Sequence, residues 1–144
     1  MAGDAVLREV TLTLPMAADM EIAATKTATS IAESMLMTPD KVDEVRMAVV
    51  EACINAIEHS EAHDRLVHLT FTVLGDDEPE TLRITVRDSG RGFDPSKIEQ
   101  PTIEEKLRSD RKRGWGLKII EGLMDEVVIR SGGEGTTVVM SKAR

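Results

Sequence analysis

Over residues 65–74 every second residue is a large apolar one, Val67, Leu69, Phe71 and Val73. The same alternation returns over 81–86 with Leu82, Ile84 and Val86. Side chains alternate across a strand, so both segments read as strands with one apolar and one polar face. Between them, 75–80 reads Gly-Asp-Asp-Glu-Pro-Glu, which has the composition of a turn. Such a pair must be covered on one side only, and that requirement selects two-layer folds.

The cover is written upstream. After an alternating stretch over 6–14, with Val10, Leu12 and Leu14 on one face, the period lengthens. Met20, Ala24, Thr27, Ile31 and Met35 recur at three or four residues and predict a helix over 17–37. Thr38-Pro39 then supplies an N-cap and a proline at the first helical position, opening a second helix that runs to about His59. Residues 88–113 carry no clear period, and a loop this long in a compact domain is usually functional. Helical spacing resumes at Leu117, Ile120, Leu123 and Met124, and two short strands follow over 126–130 and 136–141. The turn between them is Ser131-Gly132-Gly133-Glu134-Gly135. The expected fold is an α/β two-layer sandwich, a mixed but mostly antiparallel sheet with helices on one face, built as a single domain over 1–144.

Charge and composition narrow the function. Lys and Arg number 18 against 26 Asp and Glu, a net charge of −8, which argues against broad contact with a nucleic-acid backbone. A nucleotide needs only a local site and is still allowed. With two Phe, one Trp and no Tyr, base-stacking platforms for single strands are not expected. One cysteine, Cys53, excludes an internal disulfide framework and a cysteine-rich zinc site. No apolar run approaches a membrane span, and the start, MAGDAVLREV, is acidic where a signal peptide would be basic. A cytoplasmic protein without membrane contact is expected.

Three motifs carry chemistry. The first, Glu51-Ala-Cys-Ile-Asn55-Ala-Ile-Glu58-His59, lies on the second helix. Glu51 and Asn55 are four apart and share a face, together with Glu44, Glu58 and His59, while the rest of the helix is largely apolar. The second, Asp88-Ser-Gly90-Arg-Gly92-Phe-Asp-Pro, follows a strand directly. An aspartate at a strand end can accept a hydrogen bond from a buried ligand amine, and glycines let the backbone turn close to a ligand. The third, Arg113-Gly114-Trp115-Gly116-Leu117, opens a helix after Arg111 and Lys112. Backbone N–H groups at a helix start are ready to meet an anion. Each motif alone also fits an ordinary solvated face or loop.

In this order and context the three together resemble the ATPase superfamily of gyrase, heat-shock chaperone, histidine kinase and mismatch-repair proteins, with its Bergerat ATP-binding fold. More narrowly, EACINAIEH, RDSGRGFDP, RGWGLKIIEGLMDEV and GTTVVM are similar to the anti-sigma-factor serine kinases of bacterial partner-switching systems. The resemblance implies ATP and Mg²⁺ as ligands. By it, Asn55 holds the magnesium ion, and Asp88 reads the adenine amine with support from Thr136 or its neighbour Thr137. Gly90 and Gly92 shape the adenine pocket. Gly114, Gly116 and Leu117 present N–H groups to the phosphates. Residues 96–112 correspond to a mobile lid, from which Lys112, or Arg111 or Arg113, reaches the γ-phosphate.

Glu51 then decides the reaction. Histidine kinases usually carry asparagine at that place, and often lysine where this chain has Glu58. Their imidazole acceptor is already nucleophilic, whereas a serine hydroxyl benefits from a carboxylate that takes its proton. The family resemblance supplies the partners: an anti-sigma-factor antagonist with an acceptor serine, a sigma factor as the competing partner, and a second copy in a homodimer. Two alternatives stand beside this reading: an ATP-dependent binding module with little kinase activity, and a detached histidine-kinase catalytic domain. Cys53 is expected in the core, His63 and His68 in structural or exposed positions, and His59 in a supporting role.

Overall fold

The computed structural model describes residues 5–59, 62–90 and 113–144. Its elements are β1 (Val6–Pro15), α1 (Glu21–Ser34), α2 (Pro39–His59), β2 (Leu66–Gly75), β3 (Pro79–Asp88), α3 (Arg113–Leu123), β4 (Glu126–Gly132) and β5 (Gly135–Ala143). The strands form one sheet in the order β1-β2-β3-β5-β4. Each of the four described pairings is antiparallel, so the sheet is more uniform than the mixed one expected. Of these, β2-β3 and β4-β5 pair elements that follow one another directly along the chain. β1 and β2 meet across the excursion that holds α1 and α2, and β3 and β5 across the one that carries the Arg113-Gly114-Trp115-Gly116-Leu117 motif.

The alternation does what it predicts. Val67, Leu69, Phe71 and Val73 on β2 and Leu82, Ile84 and Val86 on β3 are all buried, against Val45, Val49, Ala52 and Ala56 of α2 and Ile120 of α3. Burying each large apolar side chain is worth about 1.5–3 kcal/mol. The opposite face of the sheet carries Thr70, Arg83 and Thr85, each partly exposed, and Arg87, exposed, and is uncovered by the described helices. The helices therefore lie on one face, and both walls of any pocket between α2 and the sheet come from that single layer contact.

Two local results depart from the periodicity. Helix α1 starts at Glu21, because residues 17–20 turn first and Asp19 takes a φ of 71°. Its buried face is Ala24, Ala28 and Ala32, one every four residues. These small side chains let α1 sit close on α2, but they add little to a hydrophobic pattern dominated by Ile31 and Met35. On β1, Leu12 and Leu14 turn inward as expected, while Val10 is 41% exposed. β1 is an edge strand, and the helical cover does not reach that far along it.

The ends of α2 and α3 are anchored. Thr38 caps α2, its Oγ1 accepting from Lys41 N at 3.3 Å and its carbonyl from Val42 N at 2.9 Å. Lys142, buried on β5, donates to the Leu123 carbonyl at the C-terminal end of α3 at 2.6 Å and lies 3.4 Å from Glu44 of α2. A cation that satisfies a helix-end carbonyl is favourable twice, as a hydrogen-bond donor and against the helix dipole. Its effect is to tie the far end of α3 to α2 and the sheet, which leaves the near end, with Gly116, facing the site.

Candidate active site

The site is assembled from the middle of α2, the C-terminal end of β3, the start of β5 and the start of α3. A partly open pocket there is lined by Ala52, Asn55, Ala56, Val86, Asp88, Leu117, Thr136 and Val138. Five of these eight side chains are apolar and form two walls. The polar ones, Asn55, Asp88 and Thr136, are respectively 6%, 5% and 5% exposed. A mostly apolar slot with a few converging polar groups is the ordinary form of a small-molecule site.

Each polar group is held by its element. Asp88 ends β3 directly opposite Thr136 of β5. Its Oδ1 accepts from Gly90 N at 2.9 Å, so the first glycine of the loop motif shapes the carboxylate itself. The Thr136 hydroxyl lies 2.7 Å from that of Ser131 on β4. Thr137, the neighbour that sequence left open, points to the other face of the sheet beside Arg87 and Arg130, away from this pocket.

Gly135 was not singled out by sequence, and it matters here. Its φ is +129°, and a Cβ at that position would lie 2.0 Å from the Asp88 carbonyl oxygen and 2.9 Å from Ser89 Cα. Only a residue without a side chain allows β5 to pass that close to Asp88. The signal was present in the Gly135-Thr136 step of the final turn. It is invisible to periodicity because the constraint comes from a strand about 50 residues away along the chain.

Asn55 sits between the pocket and α3. Both atoms of its carboxamide are buried without a hydrogen-bond partner among the described residues. An unsatisfied buried polar group costs about 1–3 kcal/mol, so a pair of them in a native site points to an absent ligand. Gly116 lies directly against it: a Cβ there would approach Asn55 Nδ2 to 2.8 Å and Oδ1 to 2.9 Å. A buried amide oxygen beside the start of a helix fits a magnesium ion, which usually takes one or two protein oxygens together with phosphate and water. Among the described residues there is no group of three or more His, Cys, Asp or Glu side chains able to hold a metal.

Glu51 is half-buried one turn before Asn55 on the same face of α2, and His59 follows one turn after. Glu58 is exposed and lies outside the pocket. Arg113 and Gly114 are the first residues of α3, which puts them beside Gly116 at the site end of that helix. Gly92, Lys112 and the 96–112 segment lie outside the described residues. Cys53 is buried on the far side of α2, and burial, helped by the charge of Glu21, pushes its thiol up to about 12. It is a core group. His63 is exposed, and His68 lies on the uncovered sheet face near Thr13.

Comparison with known proteins adds the following. Residues 14–142 match the family described as Histidine kinase-like ATPase domain. The anti-sigma F factor of Geobacillus stearothermophilus is 36% identical over 108 residues, covering 74% of this chain and 72% of that protein. The serine-protein kinase RsbW of Bacillus subtilis strain 168 is 33% identical over 122 residues, covering 81% and 73%. A crystal structure of the RsbU and RsbW domains of a Mycobacterium tuberculosis protein superposes with a TM-score of 0.69 at 20% identity, over 95% of this chain and 33% of that one. That likeness is one of fold, and this chain spans about a third of the solved one.

Proposed function

The chain belongs to the family of histidine kinase-like ATPase domains, and we propose that it works there as an ATP-dependent protein-serine kinase and anti-sigma factor of a partner-switching system. The observation that carries the reading is the half-buried carboxylate of Glu51, one helical turn from the orphaned Asn55 carboxamide. A histidine acceptor would not need that base. A serine hydroxyl does.

In this reading the adenine base enters the slot between Ala52 and Ala56 on one side and Val86, Leu117 and Val138 on the other. Asp88 accepts from its amine, with Thr136 alongside. The phosphates run toward the N-terminal end of α3, where the backbone N–H groups of Gly114, Gly116 and Leu117 and the helix dipole favour negative charge. Lys112 and Arg113 add cationic charge from the lid end. Magnesium, held by the Asn55 carboxamide oxygen, would offset charge on the phosphates.

Glu51 takes the proton from the acceptor serine as its Oγ forms a bond to the γ-phosphorus. The bond from that phosphorus to the β,γ-bridging oxygen breaks, and ADP leaves. Phosphoryl transfer asks the protein mainly for position and charge, and the base supplies the remaining step.

The acceptor is a serine of an anti-sigma-factor antagonist, and the competing partner is a sigma factor. We place the activity in the cytoplasm; no described helix is long and apolar enough to cross a membrane. The chain acts as one domain over 1–144 with a lid at 96–112. It works as a homodimer, and light scattering at micromolar concentration should give twice 15.8 kDa; a mass near 15.8 kDa itself would reject the dimer.

The direct test is incubation with labelled ATP, Mg²⁺ and a candidate antagonist, followed by mapping of the label. Phosphoserine on the antagonist is expected. Label on a histidine of this chain or of the partner would favour the detached histidine-kinase reading instead.

A further inference from the structure

The sheet face opposite the helices carries a transverse row of side chains near each end, and the two rows differ in charge. Away from the nucleotide pocket the row reads Glu9, Thr72, Arg83, Ser141 and Glu126, each opposite the next across the five strands. Acid and base are mixed there, and Glu9 accepts from the Thr72 hydroxyl at 3.3 Å, as on an ordinary solvated sheet. Near the nucleotide pocket the row reads Thr13, His68, Arg87, Thr137 and Arg130, again in register across the five strands. It holds two arginines and an imidazole and no carboxylate, in a chain whose net charge is −8. Arg87 and Arg130 are exposed, and among the described residues neither has an ion-pair partner.

This second row also lies in a trough. A depression of about 220 Å³ is bordered by Thr13, His68 and Arg87, and another of about 320 Å³ by Arg87, Thr137 and Arg130. Arg87 lines both, so the two adjoin at that side chain. Glu134, exposed on the turn between β4 and β5, is the solvated carboxylate at the rim. His68 on β2 and Arg130 on β4 are three strand spacings apart, about 14 Å at about 4.8 Å per spacing. In an extended chain every second side chain points the same way and repeats about every 7 Å, so three carboxylates at alternate positions cover the same length.

We propose that this trough docks an extended acidic segment of a protein partner, whose carboxylates meet Arg87 and Arg130 with His68 and Thr137 alongside. The planar guanidinium offers a carboxylate two parallel donors, which suits arginine to this task better than lysine. A nucleic acid or an anionic membrane fits less well. The row has no aromatic side chain for bases, and the net charge of −8 opposes a long polyanion or a charged surface. The trough lies on the other side of the sheet from the nucleotide pocket, so the segment and a nucleotide do not compete for space, and the proposal stands apart from the adenine reading.

The test is fluorescence anisotropy of a labelled peptide of about seven residues, glutamate alternating with serine, mixed with the full chain at low salt. The control peptide has glutamine in place of glutamate. The glutamate peptide should bind, the control should not, and added salt should weaken the binding. Arg87→Gln and Arg130→Gln should each weaken it by roughly 1.5-fold to fivefold, the range of an exposed ion pair, and the double variant by about the product. Glu134→Gln, which removes the carboxylate at the rim, should tighten it. Arg83→Gln, on the charge-mixed row, should leave it unchanged. Equal binding of the two peptides, or wild-type binding by the double variant, would overturn the proposal. So would an equal loss in Arg83→Gln, which would reduce the effect to overall charge. Tighter binding of polyuridylate or of phosphatidylserine vesicles, with the same dependence on Arg87 and Arg130, would overturn it in favour of nucleic acid or membrane. A dimer that dissociates in the double variant while peptide binding is unchanged would assign the face to a second copy instead.

Discussion

Replacing Gly116 by alanine tests whether α3 is seated on the Asn55 carboxamide. The new Cβ would stand 2.8 Å from Asn55 Nδ2, whereas ordinary contact begins at 3.4 Å, so one of the two must give by about 0.6 Å. Asn55 is buried and has little room to swing, and α3 is held at its other end by Lys142. Overpacking typically costs about 1–3 kcal/mol, against a gain of about 0.8–1.0 kcal/mol for alanine over glycine in a helix. The net destabilisation is therefore about 0–2 kcal/mol, a melting shift of a few degrees. The functional loss should be larger, because a misplacement near 1 Å at a reacting site can cost about 10²-fold. We expect single-turnover phosphorylation to fall by about tenfold or more, with a higher Mg²⁺ requirement and with partial recovery at high Mg²⁺. Nucleotide affinity can be followed in the same samples through Trp115, which lies beside the substituted position. A wild-type rate with an unchanged Mg²⁺ dependence would refute the seating of α3 on the Asn55 carboxamide.

Two further substitutions or reagents probe other parts of the account. Gly135→Ala should both destabilise the chain, by more than about 2 kcal/mol, and weaken ATP, because the clash falls on the Asp88 backbone; normal melting and normal affinity would contradict that. Cys53 should resist thiol reagents at pH 8 in the folded protein and react on unfolding, since with a value of about 12 only about one thiol in 10⁴ is ionised there. The same shift makes folding stability fall as pH rises from about 9 toward 12, because the unfolded thiol ionises first; flat stability over that window would count against a core position.

The hairpin of β2 and β3 was legible because large side chains alternate there, and alternation depends only on neighbours in sequence. The helix pair was legible in number but not in detail. The alanine seam of α1 contributes little hydrophobicity, so Ala28 and Ala32 were hidden behind Thr27 and Ile31. Val10 was read as inward because a pattern cannot tell an edge strand from a central one. At the site, Asp88, Thr136 and Asn55 could be named from motifs, and the fold brings them to one pocket. Gly135 could not be named. Its importance comes from a cross-strand partner, and register is settled only when β5 and β3 are laid side by side. Gly116 could be named for its N–H group, but not for the space it leaves to Asn55.

The central claim is that Glu51 is the base for a serine hydroxyl, and Glu51→Gln tests it most directly. Glutamine keeps the shape and removes the basicity. General-base catalysis is typically worth about 10²–10⁴ in rate, so single-turnover phosphorylation of the antagonist should fall by that factor. ATP affinity and antagonist binding, measured in parallel, should stay within about twofold of wild type, since the carboxylate acts on the proton and not on the nucleotide. An equal rate in wild type and variant would contradict the serine-kinase mechanism, and a loss confined to ATP affinity would make Glu51 a binding residue rather than the base.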